Sequence, residues 1–326
     1  MPNFQGVWDL RTQFQYAGEW PITLPANMGL FYGGYASGSI TNTIEFINLA
    51  STGNAIDFGD MLTSVRLMAA FGSTSRGVVG GGANAAGNPK NEIQFVTFST
   101  LGNASDFGDL TENRSYVAGA SNNTRGLFSG GLNNSSASSD TIDYVTIASE
   151  GNATDFGNLT SVKTSASGLA SSTRAITSGG YSYADTAYIN VIEYVTIGST
   201  GNGTDFGDLL GGVFASTSAS SSTRGLIMGG DNHLESPRYK DIIQYITIAS
   251  TGNATDFGDL TAAKPYGAAT SSNTIAVFGG GRDSAINYNN IDRITIATTG
   301  DATDFGDLSA AHAELAASSN CHGGVQ

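Results

Sequence analysis

Little in this sequence can carry covalent or redox chemistry. It has one cysteine, Cys321, which excludes an internal disulfide framework. Its three histidines, His233, His312 and His322, fall in no ligand spacing such as His-x-x-x-His. Charged residues make up only 13% of the chain, against roughly 25% in ordinary globular domains. Acids outnumber bases 28 to 14, so there is no basic stripe to track phosphates, and nucleic-acid binding is excluded. No apolar run is long enough to cross a bilayer. The amino terminus, MPNFQGVWDLRTQFQYAGEW, lacks a basic stretch followed by an apolar one, so neither a secretory signal nor a membrane span is expected. Abundant glycine, serine, threonine and asparagine are present instead, the residues of short strands and tight turns.

One phrase recurs along nearly the whole chain. Its Asp-Phe-Gly core stands at Asp57, Asp106, Asp155, Asp205, Asp256 and Asp304, in steps of 49, 49, 50, 51 and 48 residues. A period in that range means a stacked or radial array of one supersecondary unit. An aromatic residue precedes the phenylalanine by 12 positions in five copies, from Phe46 and Phe58 to Tyr245 and Phe257, and Arg293 takes its place in the sixth. Eighteen residues after the phenylalanine comes an arginine, at Arg76, Arg125, Arg174 and Arg224, followed by a glycine pair. Only the stretch from that pair to the next aromatic changes length.

These pieces translate into four strands per repeat. Strand c, as in Thr141-Ile142-Asp143-Tyr144-Val145-Thr146-Ile147, is rich in β-branched and aromatic residues and apolar on both faces, so its sheet is expected to be covered on both sides. Strand d carries the Asp-Phe-Gly phrase after a Gly-Asn turn. Strand a is made of small residues, such as Ala215-Ser216-Thr217-Ser218, suited to a crowded axis. Strand b begins at the arginine, as in Arg125-Gly126-Leu127-Phe128-Ser129. Four-stranded antiparallel sheets repeated radially describe an all-β propeller. Met28 to Gly34 reads as a strand b, while the chain stops near Gly323-Gly324-Val325, where a further strand b would begin. The carboxyl-terminal strand a, about Ala311 to Ala317, therefore completes the blade begun by residues 28 to 60. This predicts six blades over 28–326, preceded by an aromatic arm, 1–27. A seventh blade is the alternative, for which no c strand remains.

The double glycine, the two aromatics 12 apart and the arginine beside the next strand resemble the kelch repeat of β-propellers, with Phe where kelch blades usually carry Trp. The near-identical Gly-Asn-Ala-Thr-Asp-Phe-Gly-Asp-Leu copies after a Met-Pro-Asn-Phe start look like kelch-like structural proteins of tailed bacteriophages, especially those of marine cyanobacteria. That resemblance implies a virion location in the tail or on the surface. Its implied partners are other virion proteins and a host-surface protein or glycan, with no membrane insertion.

Sharper chemical readings fail on the residues. Asp-Phe-Gly occurs six times without Val-Ala-Ile-Lys or His-Arg-Asp, which excludes a kinase. The Asn-x-Thr/Ser patterns, as at Asn152-Ala153-Thr154, read as turns, and Gly80 to Ala85 lacks the helix of a dinucleotide site. Paired acids such as Asp57 with Asp60 invite calcium, but their presence in every copy assigns them to architecture. No copper or glycosidase constellation is present, so no catalytic residue, cofactor or metal is assigned and the chain is expected to be no enzyme.

Function is therefore sought on surfaces. The b-to-c and d-to-a connections share one face, and the b-to-c loops differ in every copy. Three of them hold most of the candidate contact residues: Tyr181, Tyr183 and Tyr188; His233, Arg238, Tyr239 and Lys240; Arg282 and Tyr288. Bases opening strand a, at Arg66, Arg114, Lys163, Lys264 and His312, are expected near the channel mouth, each paired with a preceding acid, as Arg114 with Asp109 or Lys264 with Asp259. In the arm, Phe4, Trp8, Phe14, Tyr16 and Trp20 are candidates for docking into another subunit. The expected function is a non-enzymatic virion scaffold that presents its loops for contact, the alternative being a free carbohydrate-binding propeller.

Overall fold

The computed structural model of the chain describes residues 23–36 and 38–325. The docking candidates Phe4, Trp8, Phe14, Tyr16 and Trp20 lie outside the described residues. The chain is all-β, with no α-helix among the described residues, and is built of many small antiparallel sheets, an arrangement consistent with a propeller. Six of these sheets share one order, a-b-c-d. One example is Ala118–Ser121, Arg125–Ser129, Ser139–Thr146 and Thr154–Lys163. In another, Ala316–Ser319 lies beside Met28–Tyr32, followed by Thr43–Asn48 and Ile56–Asp60, with Gly29 opposite Ser319 and Tyr32 opposite Ala316. The sequence placed that last a strand about two to five residues too early.

Within each sheet, strand b is central and buried almost end to end, because Leu, Ile, Val, Phe and Met meet neighbouring sheets on both faces. Strand c is covered on both sides too, as expected. Strand d carries a bulge in every copy. In the first sheet Ile44 pairs with Gly59 and Glu45 with Asp57, so Phe58 stands unpaired between them and turns inward. There it meets the strand c aromatic edge to face: Phe46 and Phe58 have centroids 6.4 Å apart, Tyr144 and Phe156 5.9 Å. That contact is the physical content of the 12-residue spacing.

The glycine of Asp-Phe-Gly serves the next sheet. At Gly59, Gly108, Gly157, Gly207, Gly258 and Gly306 a Cβ would collide with the carbonyl of the glycine that opens the neighbouring c-to-d turn. Those turns dock there by backbone hydrogen bonds: Gly102 N–H donates to Phe58 C=O at 2.9 Å, and Ala104 N–H to Asp60 C=O at 2.8 Å. The turn's asparagine completes the seam, since Asp60 N–H donates to Asn103 Oδ1 at 3.0 Å and Asn158 N–H to Asn202 Oδ1 at 3.0 Å. The repeated arginines tie the same neighbours together. Arg125 lies 4.4 Å over the Tyr144 ring of its own sheet and donates to Ile197 C=O of the next at 2.8 Å. Apolar cores fill the gaps between sheets, as where Phe71, Ile93 and Phe107 meet Val117, Phe128 and Ile147.

At the inner end a second seam joins the sheets. Leu67, Tyr116, Ser165, Ala215, Tyr266 and Glu314 all have φ between +53° and +63°, although none is glycine. Each donates its N–H to the carbonyl of its counterpart one sheet earlier: Tyr116 to Leu67 at 2.7 Å, Ser165 to Tyr116, Ala215 to Ser165, Tyr266 to Ala215, and Glu314 to Tyr266 at 2.7 Å. Leu67 N–H then donates to Glu314 C=O at 2.8 Å, so the sixth bond returns to the first. The a strands lie next to this ring, each packed against the a strands of two neighbouring sheets.

The last described residues stand where the repeat would place the start of a further strand b, and they form none. Gly323–Val325 forms a 3-10 turn laid across the ends of three a strands. Its glycines pass where a Cβ would strike the carbonyls of Ser221 and Ser121. His322 anchors it: Nε2 donates to Gly72 C=O at 2.9 Å, and Nδ1 accepts from Gly324 N–H at 3.1 Å. Burial holds this imidazole below its ordinary pKa.

Two measurements check these contacts. Gly157→Ala, which drives a Cβ into the Gly201 carbonyl, is expected to cost about 3 kcal/mol in denaturant unfolding, whereas Gly201→Ala, with open space around it, stays within about 0.5 kcal/mol. For His322 the unfolded chain takes up a proton near the ordinary value of 6.5 and the folded chain only below it, so its contribution declines as pH falls through that value. The melting-temperature gap between wild type and His322→Gln should therefore shrink between about pH 8 and about pH 5.

Candidate functional site

The b-to-c loops leave strand b through the glycine pair, whose positive φ, +68° and +104° at Gly179 and Gly180, turns the chain outward. The loops beyond the pair are short and locally bonded. Tyr181–Ser182 pairs with Ala187–Tyr188, placing Tyr181 opposite Tyr188. Asp231 bridges to Tyr239 across the next loop and to Phe214 on the d-to-a link beside it.

The structure gathers most of the predicted contact residues into one surface. Tyr181 lies 5.0 Å from Tyr183 and 5.1 Å from Tyr188, centroid to centroid, both edge to face. Tyr188 stacks on His233 at 6.2 Å, and its hydroxyl accepts the His233 N–H at 3.1 Å. Arg238 grips the buried Asp231 carboxylate with two bonds, 2.8 and 2.9 Å, while lying 4.7 Å over the Tyr239 ring. Tyr183 remains 49% exposed and Leu234 80%. Two candidates are spent locally instead: Lys240 on Glu235 at 2.8 Å, and Tyr288, whose hydroxyl donates to Asp283 at 2.8 Å. The Asp283 hydrogen bond raises the Tyr288 phenol above its ordinary pKa, and loop N–H groups of Ile286 and Ala285 hold Asp283 below its own.

Residues that carry no distinctive sequence signature join this surface to the axis. Phe214 touches Tyr181 at 6.2 Å, Tyr116 at 6.2 Å and Tyr266 at 5.7 Å. Arg282 lies 4.5 Å over Tyr266 and reaches Glu314 at 3.1 Å, and Arg66 meets the other Glu314 oxygen at 2.6 Å. Burial raises the phenols of Tyr116 and Tyr266, so both are neutral donors at the mouth. The only sequence signal for this group was position: Tyr116, Tyr266 and Glu314 each stand two residues after a predicted base.

Those bases are not a ring open to solvent. Arg114, Lys163 and Lys264 are fully buried, and their partners are not Asp109 and Asp259 but the acids that precede the aromatic position of the next strand c. Arg114 pairs with Asp143 at 2.6 Å, Lys163 with Glu193, and Lys264 with Asp292 at 3.3 Å. The reason is geometric: the link leaves strand d over the next sheet, so its bases meet that sheet's acids, although Arg114 also lies 3.6 Å from Glu112 of its own strand. Burial lowers the Lys264 pKa, against the opposing pull of Asp292. Arg66 is one residue out of step, which is why it points to the mouth; the true counterpart of Arg114 in that link is Val65. Where the base is replaced by Val65 or Val213, the acid is replaced by Gln94 or Gln244, and in place of Thr111, Thr160 and Thr261, three residues before the bases, stand Leu62 and Leu210, whose N–H donates to the glutamine at 2.7 Å. His312 instead holds Gly33 C=O at 3.1 Å, and Glu45 accepts from Ser309 N–H at 3.0 Å.

Among the described residues no group of three or more His, Cys, Asp or Glu could hold a metal ion, and no helix is long and apolar enough to cross a membrane. The buried pairs make a quantitative prediction. Lys163→Val alone strands the Glu193 carboxylate and should cost about 3–5 kcal/mol in urea unfolding, while Lys163→Val with Glu193→Gln copies the Val213 and Gln244 arrangement and should recover most of it. Neither a scan against protein-family models nor a search of the curated proteins finds a match for this chain.

Proposed function

We propose that this chain is a six-bladed, kelch-like β-propeller, closed by pairing of Ala316–Ser319 with Met28–Tyr32, that works as a non-enzymatic binding scaffold in a tailed-phage virion. One observation carries the reading: the aromatic and cationic contact residues all stand at one end of the sheets, and the chain enters at the other. Met28–Tyr32 starts beside the c-to-d turns, where Asn27 C=O accepts from Leu49 N–H and Ala26 C=O from Asn320 Nδ2. A segment preceding Met28 can therefore attach the ring to a virion partner while Tyr183, Leu234 and Arg238 face outward to a host-surface protein or glycan. Exposed tyrosine and arginine on short, hydrogen-bonded loops lose little conformational freedom on binding, which suits a contact surface.

The roles separate by mutation. Removing residues 1–20 should abolish incorporation into particles without lowering the melting temperature. The triple variant Tyr183→Ala, Leu234→Ala and Arg238→Ala should incorporate normally yet lose at least tenfold in particle adsorption to host cells. Normal incorporation of the truncated chain, or unchanged adsorption of the triple variant, overturns the corresponding half.

A further inference from the structure

Each outer seam brings two comparable positions together: the residue before Asp-Phe-Gly on one strand d, and the residue before the glycine that opens the docking turn of the next sheet. In five of the six seams both are polar, as Ser105 with Glu150, Thr154 with Thr200 and Thr303 with Thr52. In the first seam both are apolar, Ile56 and Leu101. They are 49% and 39% exposed, so neither is spent on the cores between the sheets. Gly102 N–H donates to Phe58 C=O and Ala104 N–H to Asp60 C=O, which runs this turn alongside its strand and sets Leu101 and Ile56 at the two sides of one seam. Surface leucines scattered singly need no explanation. A matched change at both positions of one seam, and of no other, does.

The chain itself passes beside this seam. Leu24, near the start of the described residues, packs on the core cluster that holds Phe46, Phe58, Phe98 and Ala104. Phe58 and Ala104 belong to the first seam. Residues 1–22 therefore continue from a point next to it. They carry five aromatic residues, Phe4, Trp8, Phe14, Tyr16 and Trp20, against three charged ones, Asp9, Arg11 and Glu19. Trp20 stands four residues before Leu24, a reach of about 14 Å in extended chain, or about three strand spacings.

We infer that residues 1–22 lie back on their own ring, with Trp20 covering Ile56 and Leu101. An aromatic side chain of this kind buries roughly 150–250 Å², the scale of two partly exposed aliphatic side chains. Tethered a few residues away, the arm meets the seam at an effective concentration that a second copy or another protein does not match. Held by one side, it still presents Phe4, Trp8, Phe14 and Tyr16 to a virion partner. Its resting place and its attachment role therefore stand or fall separately.

Both tryptophans of the chain lie in residues 1–22, so tryptophan fluorescence reports on the arm alone. The test follows emission and iodide quenching of Trp20 in the full chain carrying Trp8→Phe, with and without Ile56→Thr and Leu101→Thr, which copy the polar pairs of other seams. With Ile56 and Leu101 in place, Trp20 should emit to the blue of its position in the urea-unfolded chain and resist iodide, at every protein concentration. In the double threonine variant, its fold intact by circular dichroism, emission and quenching should move to the values of the unfolded chain. Trp20 as open to iodide as in the unfolded chain, protection that survives the two threonines, or protection lost on dilution, which places the arm on a second copy, overturns the inference. None of these readings needs a particle, so the incorporation assay of the chain lacking residues 1–20 is decided apart from them.

Discussion

Each sheet is held to the next by two backbone seams, and the rest of the structure depends on them. The inner seam is the six-membered hydrogen-bond ring from Leu67 to Glu314, every member of which sits in the left-handed region at a cost of about 1 kcal/mol or more for a residue other than glycine. The outer seam is the docking of each Gly-Asn turn on the neighbouring Asp-Phe-Gly. A strand a bears mostly Ala, Ser and Gly and buries too little apolar surface to hold its place by packing alone. Neighbouring sheets and their shared cores supply what a single sheet cannot, as in other repeat architectures where one unit is not stable alone.

The six repeats also act as an internal experiment on buried charge. Three copies place a base and an acid between sheets, and two place valine and glutamine at the same positions. Both solutions satisfy the same geometric need, because the link must pass over strand c with its own N–H groups bonded. This agrees with the general behaviour of buried ion pairs, which neutral groups of similar volume can replace at little cost while loss of one partner is expensive. Charge is therefore not required for the link to lie on its strand.

Much of the architecture was readable in the sequence. The period, the four-strand unit, the covered faces of strand c and the pairing of the first strand with the last all come from spacing and side-chain type. The glycine of Asp-Phe-Gly was conspicuous, but its reason was not, since the carbonyl it accommodates belongs to a turn about 45 residues away in another sheet. Strand a was placed early at Ala215 and at Ala311, where the strands are Thr217–Ser220 and Ala316–Ser319, because Ala215 and Glu314 reverse the chain just before them and nothing in Ala or Glu marks a positive φ. The site was half readable. Variable loops pointed to Tyr181, Tyr183, Tyr188, His233 and Arg238, whereas Phe214, Tyr116, Tyr266 and Glu314 sit on links that look like plain connectors. Internal comparison held a clue to the buried bases, in the matched change from Lys163 with Glu193 to Val213 with Gln244.

In the inner ring, leucine, tyrosine, serine, alanine, tyrosine and glutamate occupy one backbone conformation and make one set of main-chain bonds. What holds the ring together is thus indifferent to what it displays. Such positions form a palette: point substitutions can repaint the opening of the axis, one sector at a time, without insertions, altered loop lengths or repacking of the cores. A lineage obliged to change its target often would find its cheapest variation there, leaving the frame that carries it untouched.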